Sequence, residues 1–160
     1  AWPPTWGGLR QYTPEGNYFL TPNPDMTLTV PAATENVITF GGYDNVTNAF
    51  YPKSGRGFTR ENRIKPDMTA PAVNVYGPGI SGGYTRRTGT SVACALGAGA
   101  CAQILQWGIV EDNEPYMKNN YIKNYLIRGA ERNRDIRYPS EQWGYGTINV
   151  FDSFLILTRT

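Results

Sequence analysis

The chain has 160 residues, of which 40% are hydrophobic, and this is enough material for one domain with a buried core. Its formal net charge is +2 and its basic residues are scattered, so neither nucleic acid nor an anionic membrane is indicated as a partner. We find no uninterrupted apolar run of about 18 residues and therefore expect no membrane span. The sequence contains no histidine, which removes the commonest general base and the commonest zinc ligand.

Residues 1–26 form a lead-in that is rich in proline, glycine and threonine and has no sustained period. Aromatic residues recur along it, at Trp2, Trp6, Tyr12, Tyr18 and Phe19. So many aromatics fit poorly with a disordered linker, and short β segments or an extended stretch packed on another element are expected instead. Residues 27–30 alternate in polarity, which predicts the end of a strand closed by Pro31.

The clearest strand covers residues 36–43, which are mostly β-branched and aromatic and break at two glycines. A short apolar run of this kind is typical of the interior of a parallel sheet. Residues 54–57, Ser-Gly-Arg-Gly, then predict a tight irregular loop.

Two further strands are predicted before the first helix. Residues 73–76 form one of them, and residues 77–83 follow as a glycine-rich loop. Residues 84–88 form the other strand, which leads directly into the helix.

Residues 91–102 carry no charge and are mostly small, which predicts a helix that is buried on every face. Either Thr90 or Ser91 can begin it, because a short hydroxyl side chain satisfies an unpaired N–H of the first turn. Glycine costs about 1 kcal/mol relative to alanine inside a helix, so Gly97 and Gly99 indicate contacts too close for a Cβ.

The helix also carries the chain's two cysteines, Cys94 and Cys101. Seven residues at 1.5 Å rise place their Cα atoms roughly 10 Å apart, beyond the reach of a disulfide. We therefore interpret both as small buried hydrophobic residues rather than as a covalent link or a metal site. Gly108 is the expected C-terminal stop.

A second helix follows the acidic turn at residues 111–114, with Pro115 at its expected first position and its end near Gly129. Its apolar residues recur with helical spacing, at Met117, Tyr121, Ile122, Tyr125 and Leu126. We interpret its charges as a solvated face, formed by Lys118, Lys123 and Arg128.

The chain ends in a predicted turn at residues 143–146, an extended piece at 147–150 and an apolar helix at 151–157. Strands that alternate with helices indicate a layered α/β domain.

Four blocks of this sequence, in the same order, resemble the subtilisin-like serine proteases, the subtilases. They are the strand at 36–43, the segment Lys-Pro-Asp-Met-Thr-Ala-Pro-Ala-Val-Asn-Val at 65–75, the pentad Gly-Thr-Ser-Val-Ala at 89–93, and Trp-Gly-Tyr-Gly-Thr-Ile-Asn-Val at 143–150. The resemblance implies a subtilisin-like three-layer α/β domain with a mostly parallel sheet and a buried central helix. Residues 27–160 would supply its C-terminal half.

The resemblance makes Ser91 the catalytic nucleophile, which attacks the scissile peptide bond and forms an acyl-enzyme. At the start of a helix its backbone N–H can donate to the oxyanion of the transition state, and Thr90 supports the same region. On helix signals alone, Ser91 is equally an ordinary N-cap. The Gly-x-Ser-x-Gly elbow of α/β-hydrolases is excluded because Ala93 replaces its second glycine.

The other members of a subtilase site are absent from this sequence. In the family, the triad aspartate and histidine and the oxyanion asparagine precede the serine part. Asp67 matches the structural Lys-Pro-Asp segment and not the triad. We therefore expect the chain alone to be inactive, and its partners to be a polypeptide substrate and the N-terminal half of the same protease domain.

No metal site or cofactor is expected, since the calcium sites common in subtilases need an Asp-rich loop that we do not find. Two positions depart from the family pattern: Ala95 stands in place of a frequent proline and Ala72 in place of a frequent glycine. Both replacements are small.

A narrower similarity, over residues 19–31, 106–109 and 125–130, is to clostridial subtilases, including the spore-germination proteases. That group carries a β jelly-roll inserted between its histidine and serine parts. The similarity implies that residues 1–26 are the end of such an insertion, and that the protein is secreted or spore-associated in a bacterium.

The sequence leaves open two functions and one unrelated interpretation. The first is a serine endopeptidase that acts through Ser91. The second is a non-catalytic pseudoprotease whose subtilase fold serves binding or signalling. In the third, an α/β domain carries an incidental Gly-Thr-Ser cap. Upstream sequence, with an intact or a substituted aspartate and histidine, separates the first two.

Overall fold

The computed structural model describes residues 23–159, so most of the predicted lead-in and its jelly-roll interpretation lie outside the described residues. Within this range the strands are β1 (Phe40–Asp44), β2 (Ala49–Phe50), β3 (Met68–Pro71), β4 (Val75–Pro78) and β5 (Tyr84–Arg87). The helices are α1 (Thr90–Leu105), α2 (Asn119–Gly129) and α3 (Val150–Leu157), and a π-helical turn, Gln106–Val110, continues α1.

The main sheet has β1 at its centre, between β2 and β3. β1 runs parallel to β3, with Phe40 opposite Met68 and Tyr43 opposite Pro71, and β2 is antiparallel at the edge. A parallel bridge between Thr69 and Thr147 extends the sheet beyond β3. The predicted parallel-sheet strand is therefore present, although it begins at Phe40. β4 and β5 form a separate antiparallel hairpin.

The strand predicted at residues 27–30 is absent: three of these residues are in no regular element and the fourth begins a turn. Thr27 is instead hydrogen-bonded to the loop around Arg56. Its N–H donates to the Arg56 carbonyl at 2.8 Å, and its Oγ1 accepts from the Arg56 N–H at 2.9 Å. The second predicted strand begins two residues late, at Val75, because Asn74 adopts a φ of 50° that ends extended backbone.

One face of α1 packs on β1 and β3. Ala93 meets Ala70 and Ala72 in a cluster of buried alanines. A Cβ at Gly97 would overlap the ring of Phe40, which confirms the predicted close contact at that glycine. The main core then joins β3, all three helices and the segment before α2, through Met68, Ala100, Ile104, Met117, Ile122, Leu126 and Leu157.

α2 and α3 pack against each other where Gly129 meets Ser153, so closely that a Cβ on Gly129 would overlap the serine. This contact explains why the last residue of α2 is a glycine, and α2 ends there as predicted. Pro115 is not the first residue of α2, which begins at Asn119. α3 begins one residue before its predicted start, where the side chain of Asn149 accepts a hydrogen bond from the Asp152 N–H at 3.0 Å.

The prediction that α1 is buried on every face is wrong for this chain. Its fully buried positions recur every three or four residues, at Ala93, Gly97, Ala100 and Ile104. The opposite face, which we call the open face of α1, is exposed and consists of small or apolar residues, at Cys94, Ala95, Leu96, Ala98, Gly99 and Ala102. A Cβ on Gly99 would meet no atom within 4 Å, so the predicted close contact there is also absent. The sheet covers only one side of the helix.

Both cysteines are free thiols, in agreement with the predicted lack of a disulfide. Cys101 is half-buried, and burial raises the pKa of its thiol. Cys94 lies on the open face and is exposed, contrary to the prediction that it is buried.

Gly108 does not end the helical run, which continues through the π-helical turn to Val110. A Cβ on Gly108 would crowd the Met117 side chain, so packing accounts for this glycine. The 21 residues Thr90–Val110 have a mean hydropathy of 1.4 and are long and apolar enough to cross a membrane by length and composition alone. The run is not an uninterrupted apolar stretch, since Gln103 and Gln106 lie within it, and this result alone does not indicate a membrane span. A core helix of a layered domain meets the same criterion, and this run packs on β1 and β3.

The largest buried polar group is Asp67 with the amines of Lys65 and Lys123, which we call the Asp67 cluster. Asp67 is fully buried, and its Oδ2 accepts from the Lys65 Nζ and the Thr39 N–H, both at 2.7 Å. Lys65 also donates to the Val37 carbonyl at 2.6 Å. Burial lowers the pKa of the Lys65 amine, against the opposing effect of Asp67.

Lys123 completes the cluster from α2, with its Nζ 2.5 Å from Asp67 Oδ1. The sequence placed Lys123 on a solvated face, and this is wrong, because its long side chain reaches past the helix surface to the buried carboxylate. The Asp67 carbonyl also accepts from the Tyr145 N–H at 2.9 Å, so the cluster holds the C-terminal turn as well.

Candidate active site

The start of α1 is held by the end of the parallel strand pair. The Gly89 N–H donates to the Ala72 carbonyl at 2.8 Å, and the Ala72 N–H donates to the Tyr43 carbonyl at 2.8 Å. Gly89 is the N-cap of α1, with a φ of 153° that side chains rarely adopt. These bonds place the first turn of α1 at the carboxyl ends of β1 and β3, which is where open α/β sheets bind ligands.

Ser91 is exposed in this first turn. Among residues 23–159, neither its Oγ nor its backbone N–H has a hydrogen-bond partner. The predicted hydroxyl cap is wrong: Gly89 caps the helix without a side chain, and the Val92 N–H donates to the Gly89 carbonyl at 3.0 Å. Because its hydroxyl is not used as a cap, Ser91 keeps both a hydroxyl and an N–H at the positive end of α1.

Thr90 is the first residue of α1 and is half-buried. Its methyl group faces Gly42 of β1, where an added Cβ would lie 3.5 Å from Thr90 Cγ2 and 2.6 Å from the Cβ of Ala72. Gly42 therefore makes room for Ala72, which explains how this chain accommodates alanine where the family often has glycine. Thr90 supports the first turn by packing on this pair.

Among residues 23–159, no side chain that could act as a general base is hydrogen-bonded to Ser91. The chain has no histidine, and Asp67 is held by two lysines in its own cluster. Three of the cavities formed by residues 23–159, with volumes of about 200 to 510 Å³, are not lined by Ser91 or Thr90. Within residues 23–159, no three His, Cys, Asp or Glu side chains lie close enough to hold a metal ion.

Sequence reasoning missed two features next to this site. The first is the hydrogen bond from the Gly89 N–H to the Ala72 carbonyl, which positions the helix. It joins two backbone groups, so the identity of the residues does not predict it. The second is the pair Arg86 and Arg87 at the end of β5, a few residues before Ser91. The sequence does contain a signal for this pair, because two adjacent arginines lie in a segment without acidic residues.

Comparison with known proteins identifies the family. The model of the subtilase family matches residues 15–146. The chain is 30% identical over 138 residues to the membrane-bound transcription factor site-1 protease of Mus musculus, covering 82% of this chain and 12% of that protein. It is 31% identical over 125 residues to pyrolysin of Pyrococcus furiosus, covering 74% of this chain and 9% of that protein.

Among solved structures, the CspB protease of Clostridium perfringens is 36% identical, with a TM-score of 0.85 over 89% of this chain and 31% of that chain. The predicted subtilisin-like α/β fold and the resemblance to clostridial subtilases are thereby confirmed. This chain spans about a third or less of the length of these relatives. The chain belongs to the subtilase family of serine proteases.

Proposed function

We propose that this chain is the serine-bearing C-terminal part of a subtilisin-like endopeptidase, with Ser91 as its nucleophile. One observation carries the proposal: in a subtilase chain, the exposed Ser91 lies in the first turn of α1, with its Oγ and N–H free of partners among residues 23–159. Serine hydrolases use this arrangement for acyl transfer.

In the proposed reaction, Ser91 Oγ attacks the carbonyl carbon of the scissile bond as a base removes its proton. The oxyanion that forms accepts a hydrogen bond from the Ser91 N–H at the positive end of α1. The amine then leaves with a proton, and water hydrolyses the acyl-enzyme to regenerate Ser91. Thr90 keeps the first turn in place through its contact with β1.

The base must come from outside this chain, because the sequence has no histidine. We propose that the N-terminal half of the same protease domain supplies it and packs on the open face of α1. Small side chains on that face, with the bare surface at Gly99, allow another backbone to approach closely. Without that half, the chain should be inactive.

A fluorophosphonate probe, which modifies activated serines, tests the proposal on the complete protease. We expect the complete protein to be labelled, the Ser91→Ala variant to lose all labelling, and this chain alone to remain unlabelled. In subtilisin, loss of the serine lowers turnover on the order of 10⁶-fold. Ser81→Ala, at the exposed tip of the β4–β5 hairpin, is the matched control and should label as the unchanged protein does.

Two outcomes would contradict the proposal. If the folded complete protein is not labelled, the non-catalytic pseudoprotease becomes the better interpretation. If Ser91→Ala is still labelled, the nucleophile is a different residue.

A further inference from the structure

The β4–β5 hairpin leads directly into the first turn of α1 and is braced along its length. Tyr76 and Tyr84 stack on one face with ring centroids 5.1 Å apart, although they are 66% and 68% exposed. At the base of the hairpin the Asn74 N–H donates to Thr88 Oγ1 at 2.9 Å. The hairpin therefore presents its side chains from a fixed backbone next to Ser91.

The hairpin is also the most basic part of the chain around the serine. Residues 75–88 contain Arg86 and Arg87 and no acidic residue, so this segment has a formal charge of +2. Within residues 23–159, the ion pairs join Arg63 to Glu61 and the two lysines to Asp67, and neither hairpin arginine takes part in one. Among the described residues, Arg86 makes a single long hydrogen bond, 3.4 Å, to the Asn74 carbonyl.

Arg87 is the better placed of the two for contact with a substrate. In the register of the hairpin it lies opposite Val75, on the side where Val75 and Thr85 are half-buried, and it is itself exposed. Arg86 lies opposite Tyr76. The two arginines therefore point to opposite faces, and Arg87 is on the face that turns toward the body of the domain.

The distance between the Cα atoms of Arg87 and Ser91, the proposed nucleophile, is short because Arg87 precedes Ser91 by only four residues. A fully extended chain of that length spans at most about 14 Å. A bound substrate in extended conformation advances about 3.3 Å per residue. The Arg87 guanidinium is therefore within reach of substrate residues no more than about four positions from the scissile bond.

We propose that Arg87 selects polypeptide substrates that carry an aspartate or glutamate close to the scissile bond. This inference rests on the proposed function, since it names the substrate class of the same site. An arginine guanidinium pairs with a carboxylate through two parallel hydrogen bonds, and its planar group loses less freedom per hydrogen bond than a lysine amine does. The net basic charge of the hairpin also attracts acidic segments before contact.

The test uses the complete protease and matched peptides that carry Glu, Gln or Lys at each of the four positions on either side of the cleaved bond. We expect one position at which Glu raises kcat/KM about threefold to tenfold over Gln, the range of a partly exposed charge pair. Arg87→Gln should abolish that preference, so that kcat/KM for the Glu peptide falls to the level of the Gln peptide. Arg87→Glu should reverse it in favour of Lys.

Three further measurements make the test decisive. Arg134→Gln, on the exposed loop after α2, removes the same charge elsewhere and should keep the preference. The Glu preference of the unchanged protease should decrease as salt is raised from about 0.05 to 0.5 M, because ions screen a partly exposed pair. Binding of the Glu and Gln peptides to Ser91→Ala, measured by fluorescence anisotropy, should show the same dependence on Arg87 without any turnover.

The outcomes separate the two claims. If the protease cleaves peptides but Arg87→Gln does not change the Glu preference, the inference about specificity is wrong and the proposed function stands. If the complete protein neither labels with the fluorophosphonate nor cleaves any peptide, both are wrong.

Discussion

The Asp67 cluster and the first turn of α1 are both polar, both attached to the β1–β3 strand pair, and opposite in character. Asp67 is fully buried, and each of its carboxylate oxygens contacts a lysine amine. Ser91 is exposed, and its Oγ and N–H are free of partners among residues 23–159. One region is closed within the chain, and the other is open.

The difference follows from where each region can find its partners. A buried charge must be paired inside the fold, because desolvation without a partner costs several kcal/mol. An exposed hydroxyl or N–H is satisfied by water until a substrate arrives. The stability of this chain therefore depends on its closed region, while its proposed chemistry depends on groups that the chain leaves free.

The largest effect on stability should come from removing the carboxylate of the Asp67 cluster. Asp67→Ala leaves Lys65 and Lys123 without their shared partner and should lower the free energy of unfolding by about 3–5 kcal/mol. Glu61→Gln, which breaks the exposed pair with Arg63, is the control and should change it by less than about 1 kcal/mol. Urea unfolding followed by tryptophan fluorescence measures both, and equal losses would show that the cluster is not what stabilises the core.

The two faces of α1 provide a finer comparison, through glycines two residues apart. Gly97→Ala pushes a methyl group into the Phe40 ring and should cost about 1–3 kcal/mol. Gly99→Ala meets open space in this chain and should be neutral or stabilising by up to about 1 kcal/mol.

In the complete protease, Gly99→Ala should instead weaken packing of the N-terminal half. Urea unfolding of the chain and of the complete protease separates these effects. A stabilised complete protease would argue against a partner on the open face.

The smallest expected effect is a difference in the rate at which the two cysteine thiols are modified. In this chain Cys94 is exposed, whereas Cys101 is half-buried and burial raises the pKa of its thiol. A raised pKa leaves less reactive thiolate at pH 8, so iodoacetamide should modify Cys94 several times faster than Cys101. Peptide mass spectrometry at timed intervals measures both rates.

The same experiment reports on the open face. In the complete protease, Cys94 should become protected while Cys101 changes little. If Cys94 reacts equally fast in both proteins, the N-terminal half does not cover this part of α1.

The sequence predicted those parts of the fold that depend on local pattern or on a recognisable motif. β5, α3 and the end of α2 at Gly129 are close to their expected positions, because hydrophobic period and glycine placement determine them. The place of Ser91 at the start of α1 was also predicted, from the Gly-Thr-Ser pentad. Its role as nucleophile is still a prediction.

The sequence did not predict features that depend on long-range contacts. Lys123 reads as a surface charge until Asp67, 56 residues earlier, is placed beside it. Thr27 alternates like a strand residue, but the loop at Arg56 takes its hydrogen bonds. Cys94 lies among small apolar residues and is therefore expected in the core, but within residues 23–159 no element covers that face of α1.

The bond between the Ala72 carbonyl and Gly89 has a further consequence. It anchors the serine to the sheet, so the position of Ser91 is not inherited from the hairpin that precedes it in sequence. The tip of that hairpin, between Gly79 and Gly83, can therefore vary in length and charge over evolution without moving Ser91. New substrate preferences then arise by drift in a loop while the proposed nucleophile stays fixed.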